Sequence, residues 1–301
     1  MAFDGSVVHA LATELNHSLT GGRITRIAQP EKDELLLTVK AEGRQMRLLL
    51  SASPSLPIAC LTEETKASPM NAPAFCMLLR KHLSGGRILS VTQPSMERVL
   101  DFTIEHFDEM NDLSCLTLTV EMMGKHSNII LRRDDVILDS IRHVSSLMSS
   151  VREVLPGRTY FIPFREEKLD PFTVDEASFR EHVFSAGSTS ISKAVYTSLT
   201  GFSPMLAEEV LYRSGCDSDR PASSFTSEEQ EAIWRSFLEV MELIRLQPFL
   251  NIIYYREEPK AFGVFPFQSF EQSGYTTVRY EGISQLLSAF YSQKQRLQSL
   301  R

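Results

Sequence analysis

Apolar and polar residues alternate with a period near two along much of the first 142 positions, and with a helical period from about residue 175. The chain opens on a helical stretch at 4–19. Asp4 is a fair N-cap there, and Val7 or Val8, Leu11, Leu15 and Leu19 fall on one face. Gly21-Gly22 stops it. Residues 23–28 read as a strand, Gln29-Pro30 as a turn and 35–39 as the return strand, and Gly43 turns the chain into 46–50.

The same grammar returns 64 residues later. Residues 74–83 are helical, with Phe75, Leu78, Leu79 and Leu83 apolar. Gly85-Gly86-Arg87-Ile88 matches Gly21-Gly22-Arg23-Ile24, Gln93-Pro94 follows, and 99–104 is again a strand. The offset predicts an internal duplication of a helix–strand–strand unit, in residues 4–40 and 74–104. Two such units predict a pseudo-symmetric β-sandwich, since half-buried strands need a second layer. Strands continue at 113–122, 127–133 and 136–142, and Asp134-Asp135 makes a turn.

Beyond Lys168-Leu169-Asp170-Pro171, which reads as a domain boundary, helices dominate. Ile191, Ala194, Val195 and Leu199 form one face. Gly201 closes that helix, and Ser203 caps the next with Pro204 in its first turn, a pattern like a helix-hairpin-helix. Backbone N–H groups in such a turn can hold a phosphate, which makes Gly201 and Ser203 candidates for it; the alternative is a tight turn without ligand, because no Lys or Arg lies in it. Thr226-Ser227-Glu228-Glu229 is a capping box opening a helix that runs to about Gln247. Alternation resumes over 250–280, in strands that could rejoin the first sheet. A last helix begins at Ser284 and runs off the end without a stop, so a longer protein is expected. The reading is α+β: a duplicated, β-sandwich-like domain (1–172), a helix-hairpin-helix domain (173–248), a β segment packing on the first domain (249–283) and a terminal helix (284–301).

Composition narrows the classes. No apolar run approaches 18 residues, so no spanning helix is expected, and the first residues lack a secretory pattern. Cys60, Cys76, Cys115 and Cys216 are far apart, and none has a metal-ligand spacing. Free thiols in a reducing, cytoplasmic compartment are therefore expected, with no structural zinc. The net charge is -7, which disfavours indiscriminate nucleic-acid binding. Residues 1–100, however, hold 11 Lys and Arg against 9 Asp and Glu, so a local basic patch belongs there if anywhere. G-x-S-x-G, H-E-x-x-H and Walker patterns are absent and the seven His are scattered; no catalytic residue, cofactor or metal is predicted.

The densest chemistry lies at Glu121-Met122-Met123-Gly124-Lys125-His126-Ser127-Asn128, between two strands. A buried carboxylate is costly unless paired, so Glu121 must have a partner or face a ligand; alternatively Glu121 and Lys125 form a solvated edge over two core methionines. This stretch, with Ile129-Ile130-Leu131, resembles the signature of the NFACT amino-terminal domain. That domain occurs in RqcH-like proteins, also called fibronectin-binding protein A, and in eukaryotic ribosome quality-control relatives. Phe3-Asp4-Gly5, Leu49-Leu50-Ser51-Ala52, residues 73–81 and Leu155-Pro156-Gly157 add to the resemblance, which covers nearly the whole chain.

The resemblance implies that residues 1–172 are this domain. It implies that the last helix starts a coiled coil, with an RNA-binding domain beyond it. It also implies tRNA-binding roles for Glu97, Arg98, Glu121, Met122, Met123 and Asp4. The family's Asp-Arg pair is Glu97-Arg98 here, which lengthens the acid by one methylene, and the middle of Glu121-Met122-Met123 is often Ile in the family. The implied partners are a large ribosomal subunit with a stalled nascent chain, and tRNA, alanyl-tRNA in bacteria. The alternatives are a fibronectin-binding surface adhesin and a general nucleic-acid-binding module. The family is distantly similar to formamidopyrimidine-type DNA glycosylases, whose nucleophile is an amino-terminal Pro followed by Glu. Met1-Ala2-Phe3 stands here instead, and that chemistry is not expected.

Overall fold

The computed structural model describes residues 3–164, 167–246 and 248–301. The chain forms two compact units. One comprises residues 11–94 and 98–163; the other comprises 1–10, 95–97 and 164–301.

The first of these holds one continuous antiparallel sheet of nine strands. They are β1 (Arg23–Glu31), β2 (Glu34–Ala41), β3 (Arg44–Ala52), β4 (Pro57–Thr62), β5 (Arg87–Thr92), β6 (Val99–Phe107), β7 (Leu113–Glu121), β8 (Asn128–Arg133) and β9 (Val136–Ser140), in the order β4-β3-β2-β1-β5-β6-β7-β8-β9. Two wings, β4 to β1 and β5 to β9, meet at β1 and β5, and β3 lies against β7 and β8. The expected sandwich is thus one sheet folded on itself. Its inner face carries Leu35, Leu37, Leu48, Leu50, Phe102, Leu118 and Val120, all buried.

The junction is where the duplication becomes physical. Gly21 N–H donates to the Ile88 carbonyl (2.7 Å) and Gly85 N–H to the Ile24 carbonyl (2.8 Å). Ile24 N–H donates to Gly86 and Ile88 N–H to Gly22, both at 2.9 Å. Each bond is its mate shifted by the 64-residue offset, so the two hairpins are related by a local twofold. The register irregularities agree: β1 slips between Ile24 and Arg26, β5 between Ile88 and Ser90. Both second glycines have a close neighbour. A Cβ on Gly22 would stand 2.6 Å from Val39, and one on Gly86 2.9 Å from Ile104. Helix α2 (Ala74–Leu83) packs on β1, and its Arg80 Nε donates to the Ile27 carbonyl at 2.9 Å.

The other unit begins with the first turn of α1 (Gly5–Leu19), capped as expected: Asp4 Oδ1 accepts from Ser6 N–H at 3.0 Å. Helices α3 (Glu176–Phe184), α4 (Ile191–Ser198), α5 (Pro204–Ser214) and α6 (Ser227–Arg245) pack around Phe179, Trp234 and Phe237. The capping box of α6 is present at Thr226 and Glu229. Its expected end at Gln247 lies outside the described residues. Strands β10 (Leu250–Tyr255), β11 (Glu258–Gly263) and β12 (Tyr275–Tyr280) do not rejoin the nine-stranded sheet; they form their own, in the order β11-β10-β12. The physical reason is that their partners are local. Helix α7 (Ile283–Ser299) packs on all three strands, with Phe290 edge-on to Phe262 at 4.8 Å. The buried Glu209 carboxylate on α5 accepts from the N–H groups of Gln268 and Ser269, both at 2.9 Å. Among the described residues, no helix is long and apolar enough to cross a membrane. Cys60, Cys76, Cys115 and Cys216 are free thiols.

Candidate nucleic-acid interface

Strands β6 and β7 are antiparallel, with Val99 opposite Glu121. This pairing continues one step past the strand ends, where Met122 N–H donates to the Arg98 carbonyl at 2.9 Å. Arg98 and Met122 are therefore backbone neighbours at one rim, where the start of one antiparallel strand lies beside the end of the next. Arg98 and Met123 are half-exposed; Glu97, also half-exposed, belongs to the other unit. The rim continues through a 3-10 turn, Gly124–His126, that leaves Lys125 and His126 exposed.

The two remaining members of the motif do not face the rim. Met122 is buried, and Glu121 is completely so. Glu121 lies outside the inner core, as strand alternation requires, but residues 141–163 form a second layer over that face. Ile130, Ile137, Val154 and Tyr160 pack there, with Val144 and Ile162 around them. Under this layer Glu121 Oε1 pairs with Arg152, and Oε2 accepts from Tyr160 Oη at 3.0 Å. Burial tends to lower the Arg152 pKa, but the adjacent Glu121 charge and hydrogen bonds raise it overall. Burial, then Glu121, pushes the Tyr160 phenol far above its ordinary range. The network continues to Arg132, whose guanidinium lies 4.7 Å from the Tyr160 ring centre, 3.3 Å from Asp101 and 2.9 Å from Thr119 Oγ1. Of the motif residues that the resemblance implies to bind tRNA, the Glu121 carboxylate and the Met122 thioether are thus withdrawn from the surface that Arg98 shares. Arg98 and Met123 are presented there; Glu121 and Met122 support them from behind.

Arg142 fixes the turn that carries the rim. Its Nη1 donates to the Lys125 and Ser127 carbonyls at 3.0 and 3.2 Å, and its Nη2 to the Ala52 carbonyl at 3.1 Å. Asn128 Nδ2 in turn donates to the Arg142 carbonyl at 2.9 Å. Arg142, Arg152 and Tyr160 were missed from sequence. The available signal was Glu121 itself, which required a cation or donor somewhere; its partners sit 31 and 39 residues away, beyond any local pattern.

Asp4, Gly201 and Ser203 form a second group, in the other unit. Asp4 Oδ2 accepts from Ser203 Oγ at 2.6 Å, and Ser203 Oγ accepts from Leu206 N–H at 3.2 Å, capping α5. Gly5 N–H donates to the Gly201 carbonyl at 2.9 Å. Gly201 has φ +76°, and a Cβ there would lie 1.8 Å from the Met96 carbonyl oxygen. These contacts weigh against a phosphate at Gly201 and Ser203: the hydroxyl is taken by a carboxylate, and the glycine packs against backbone. Asp4 caps α1 and ties that cap to α5. Burial raises its pKa, against the opposing hydrogen bonds from Ser203 and Ser6. Among the described residues, no cluster of His, Cys, Asp and Glu could hold a metal ion.

Residues 4–301 match the family described as NFACT N-terminal and middle domains. The chain is 38% identical over 218 residues to the protein named Rqc2 homolog RqcH from Bacillus subtilis (strain 168), covering 71% of this chain and 38% of that one. It is 31% identical over 296 residues to the Rqc2 homolog RqcH of Streptococcus suis (strain 05ZYH33), covering 98% of this chain and 49% of that one. The chain thus spans half or less of the length of these relatives. The crystal structure of the fibrinogen binding protein from Staphylococcus aureus superposes with a TM-score of 0.79 at 29% identity, covering 97% of this chain and 99% of that one. Sequence motif, sheet topology and these likenesses agree, and the chain belongs to the NFACT N-terminal and middle domain family.

Proposed function

We propose that this chain is the tRNA-recognising part of a ribosome quality-control factor. The observation that carries the reading is its 38% identity, over 71% of its length, to a protein named Rqc2 homolog RqcH. In this reading the full protein binds a large ribosomal subunit that holds an obstructed peptidyl-tRNA, and recruits alanyl-tRNA to it. The ribosome then adds a carboxy-terminal tail without mRNA. The chain performs no bond chemistry of its own and works in the cytoplasm.

The rim supports this role chemically. The Arg98 guanidinium offers a planar fork to a phosphate or a guanine edge, the half-exposed Met123 thioether can pack on a base face, and Glu97 can accept from an exocyclic amine. Glu121, Arg152 and Tyr160 hold the strand end that presents them. We read α4, its turn and α5 as a helix-hairpin-helix whose turn is braced by Asp4, and α7 as the first turns of a coiled coil. The experiment is sequencing of the RNA that co-purifies with the full-length protein. A set dominated by tRNA is expected; RNA without tRNA enrichment would overturn the reading. The likeness to a fibrinogen binding protein favours a second reading, a surface adhesin. Cell fractionation separates the two, since an adhesin would be found at the cell surface.

A further inference from the structure

A row of like charges crosses the junction of the two wings. Lys40 on β2 is opposite Arg23 on β1, and Arg23 is opposite Arg87 on β5. The row is bounded by Gln45 on β3 and by Glu105 on β6, its one carboxylate. A second row, two residues along β2, pairs Arg26 with Thr38 and Thr38 with Arg47. The slip between Ile24 and Arg26 puts Arg26 on the same face as Arg23, although three residues separate them. Arg23, Arg26, Lys40 and Arg87 are exposed and Arg47 is half-buried. None of the five forms a salt bridge among the described residues, where 14 other ion pairs are found.

Like charges directly opposite each other across strands oppose folding. A chain of net charge -7 has ample acid with which to pair them and does not do so here. The local twofold sharpens the point. The equivalents of Arg26 and Lys40 in the second repeat are Ser90 and Glu105, so the charge belongs to one copy and not to the duplicated fold. Five cations on a sheet face, none in a salt bridge among the described residues and with Glu105 as the one carboxylate in their rows, match a phosphodiester backbone.

We propose that this face binds the helical stem of the same tRNA that the Arg98 rim engages, through phosphates and without base contacts. The proposal rests on the tRNA reading above. The two surfaces lie at opposite ends of β6: Glu105 closes the cationic row, and Arg98 precedes Val99. Six strand residues separate these ends by about 20 Å, more than one nucleotide and within the reach of one tRNA.

The test is binding of labelled deacylated tRNA to the full-length protein over a salt series, for wild type, Arg98→Ala and the double variant Arg26→Glu/Lys40→Glu. The double variant should bind about tenfold more weakly near 100 mM salt. Its log K against log salt should be shallower by about 1.4–1.8, two phosphate contacts' worth. Its melting temperature should not fall, because like-charge neighbours are removed. Should it fail to fold, Lys40→Gln alone should still lower the slope by about 0.7–0.9. Unchanged affinity and slope in the double variant, with Arg98→Ala impaired, overturn this face and leave the tRNA reading standing. Weakened binding to purified large ribosomal subunits with tRNA binding unchanged also overturns it, in favour of ribosomal RNA. A wild type that binds no tRNA overturns both.

Discussion

The two wings of the nine-stranded sheet start from one plan and end with opposite surfaces. Around the junction their backbones are equivalent down to the four exchanged hydrogen bonds and the position of the register slip. On the first wing the cations of β1 and β2 stand exposed and without salt bridges. On the second, Arg132 is bonded to Asp101 and Arg152 to Glu121 beneath the layer of residues 141–163. The shared parts are those a hairpin junction needs: glycines where backbones touch and branched apolar residues facing inward. The parts that differ contribute nothing to the junction. A duplicated fold thus uses one copy's outer face for internal structure and leaves the cations of the other's exposed.

The largest expected effect tests the closed wing. Glu121→Ala would leave Arg152 as an uncompensated, nearly buried charge, and should cost about 3–5 kcal/mol by denaturant unfolding. Loss of tRNA recovery in this variant would then follow from the damaged rim. A cost below about 1 kcal/mol would mean that the carboxylate is not the buried partner described here. The next effect tests the equivalence itself. Gly22→Ala and Gly86→Ala each push a Cβ against a β-branched neighbour on the paired strand, Val39 or Ile104, and against the carbonyl of Leu19 or Leu83. Each should cost about 1–3 kcal/mol, and the two should agree closely. A large cost at one and none at the other would break the twofold.

The sequence made the junction legible because its requirements are local. The Gly-Gly-Arg-Ile repeat at an offset of 64 is the same set of residues that exchanges hydrogen bonds. The caps at Asp4, Ser203 and Thr226 were readable for the same reason: each bonds an N–H two or three residues ahead. The second layer was not readable. Alternation sets Glu121 on the outer face of β7, opposite to Leu118 and Val120, but nothing in a period of two says whether another segment covers that face. Ser203 was identified as a cap, while its second bond, to Asp4, crosses 199 residues. That contact sets a carboxylate beside the turn, which counts against an anion there. The folding of the β250–280 region into its own sheet was hidden likewise, since strand pattern does not name the partner strand.

Arg98→Ala comes next in size and separates presentation from support. Arg98 is half-exposed and its backbone carbonyl, not its side chain, makes the bond to Met122. Stability should change by no more than about 0.5 kcal/mol, while tRNA affinity should fall by about 1–3 kcal/mol if the guanidinium makes one bidentate contact. Thermal melting together with tRNA recovery checks both halves. An unchanged recovery in a folded variant would remove Arg98 from the interface.

The smallest effect gives the second wing the first wing's chemistry. Glu105 stands opposite Arg87, where the other repeat sets Lys40 opposite Arg23. Glu105→Lys would extend the cationic row to four side chains across four strands. It should destabilise the fold by only about 0.2–1 kcal/mol, the cost of one more like-charge pair across strands. In return it should strengthen tRNA binding at low salt and steepen the salt dependence by about 0.7–0.9, one added phosphate contact. Both changes should shrink in the background of a variant already lacking Arg26 and Lys40, where only Arg23 and Arg87 remain beside it in the row. A gain in binding that persists in that background would mean that the second wing holds RNA independently, and that the asymmetry between the two repeats is one of degree.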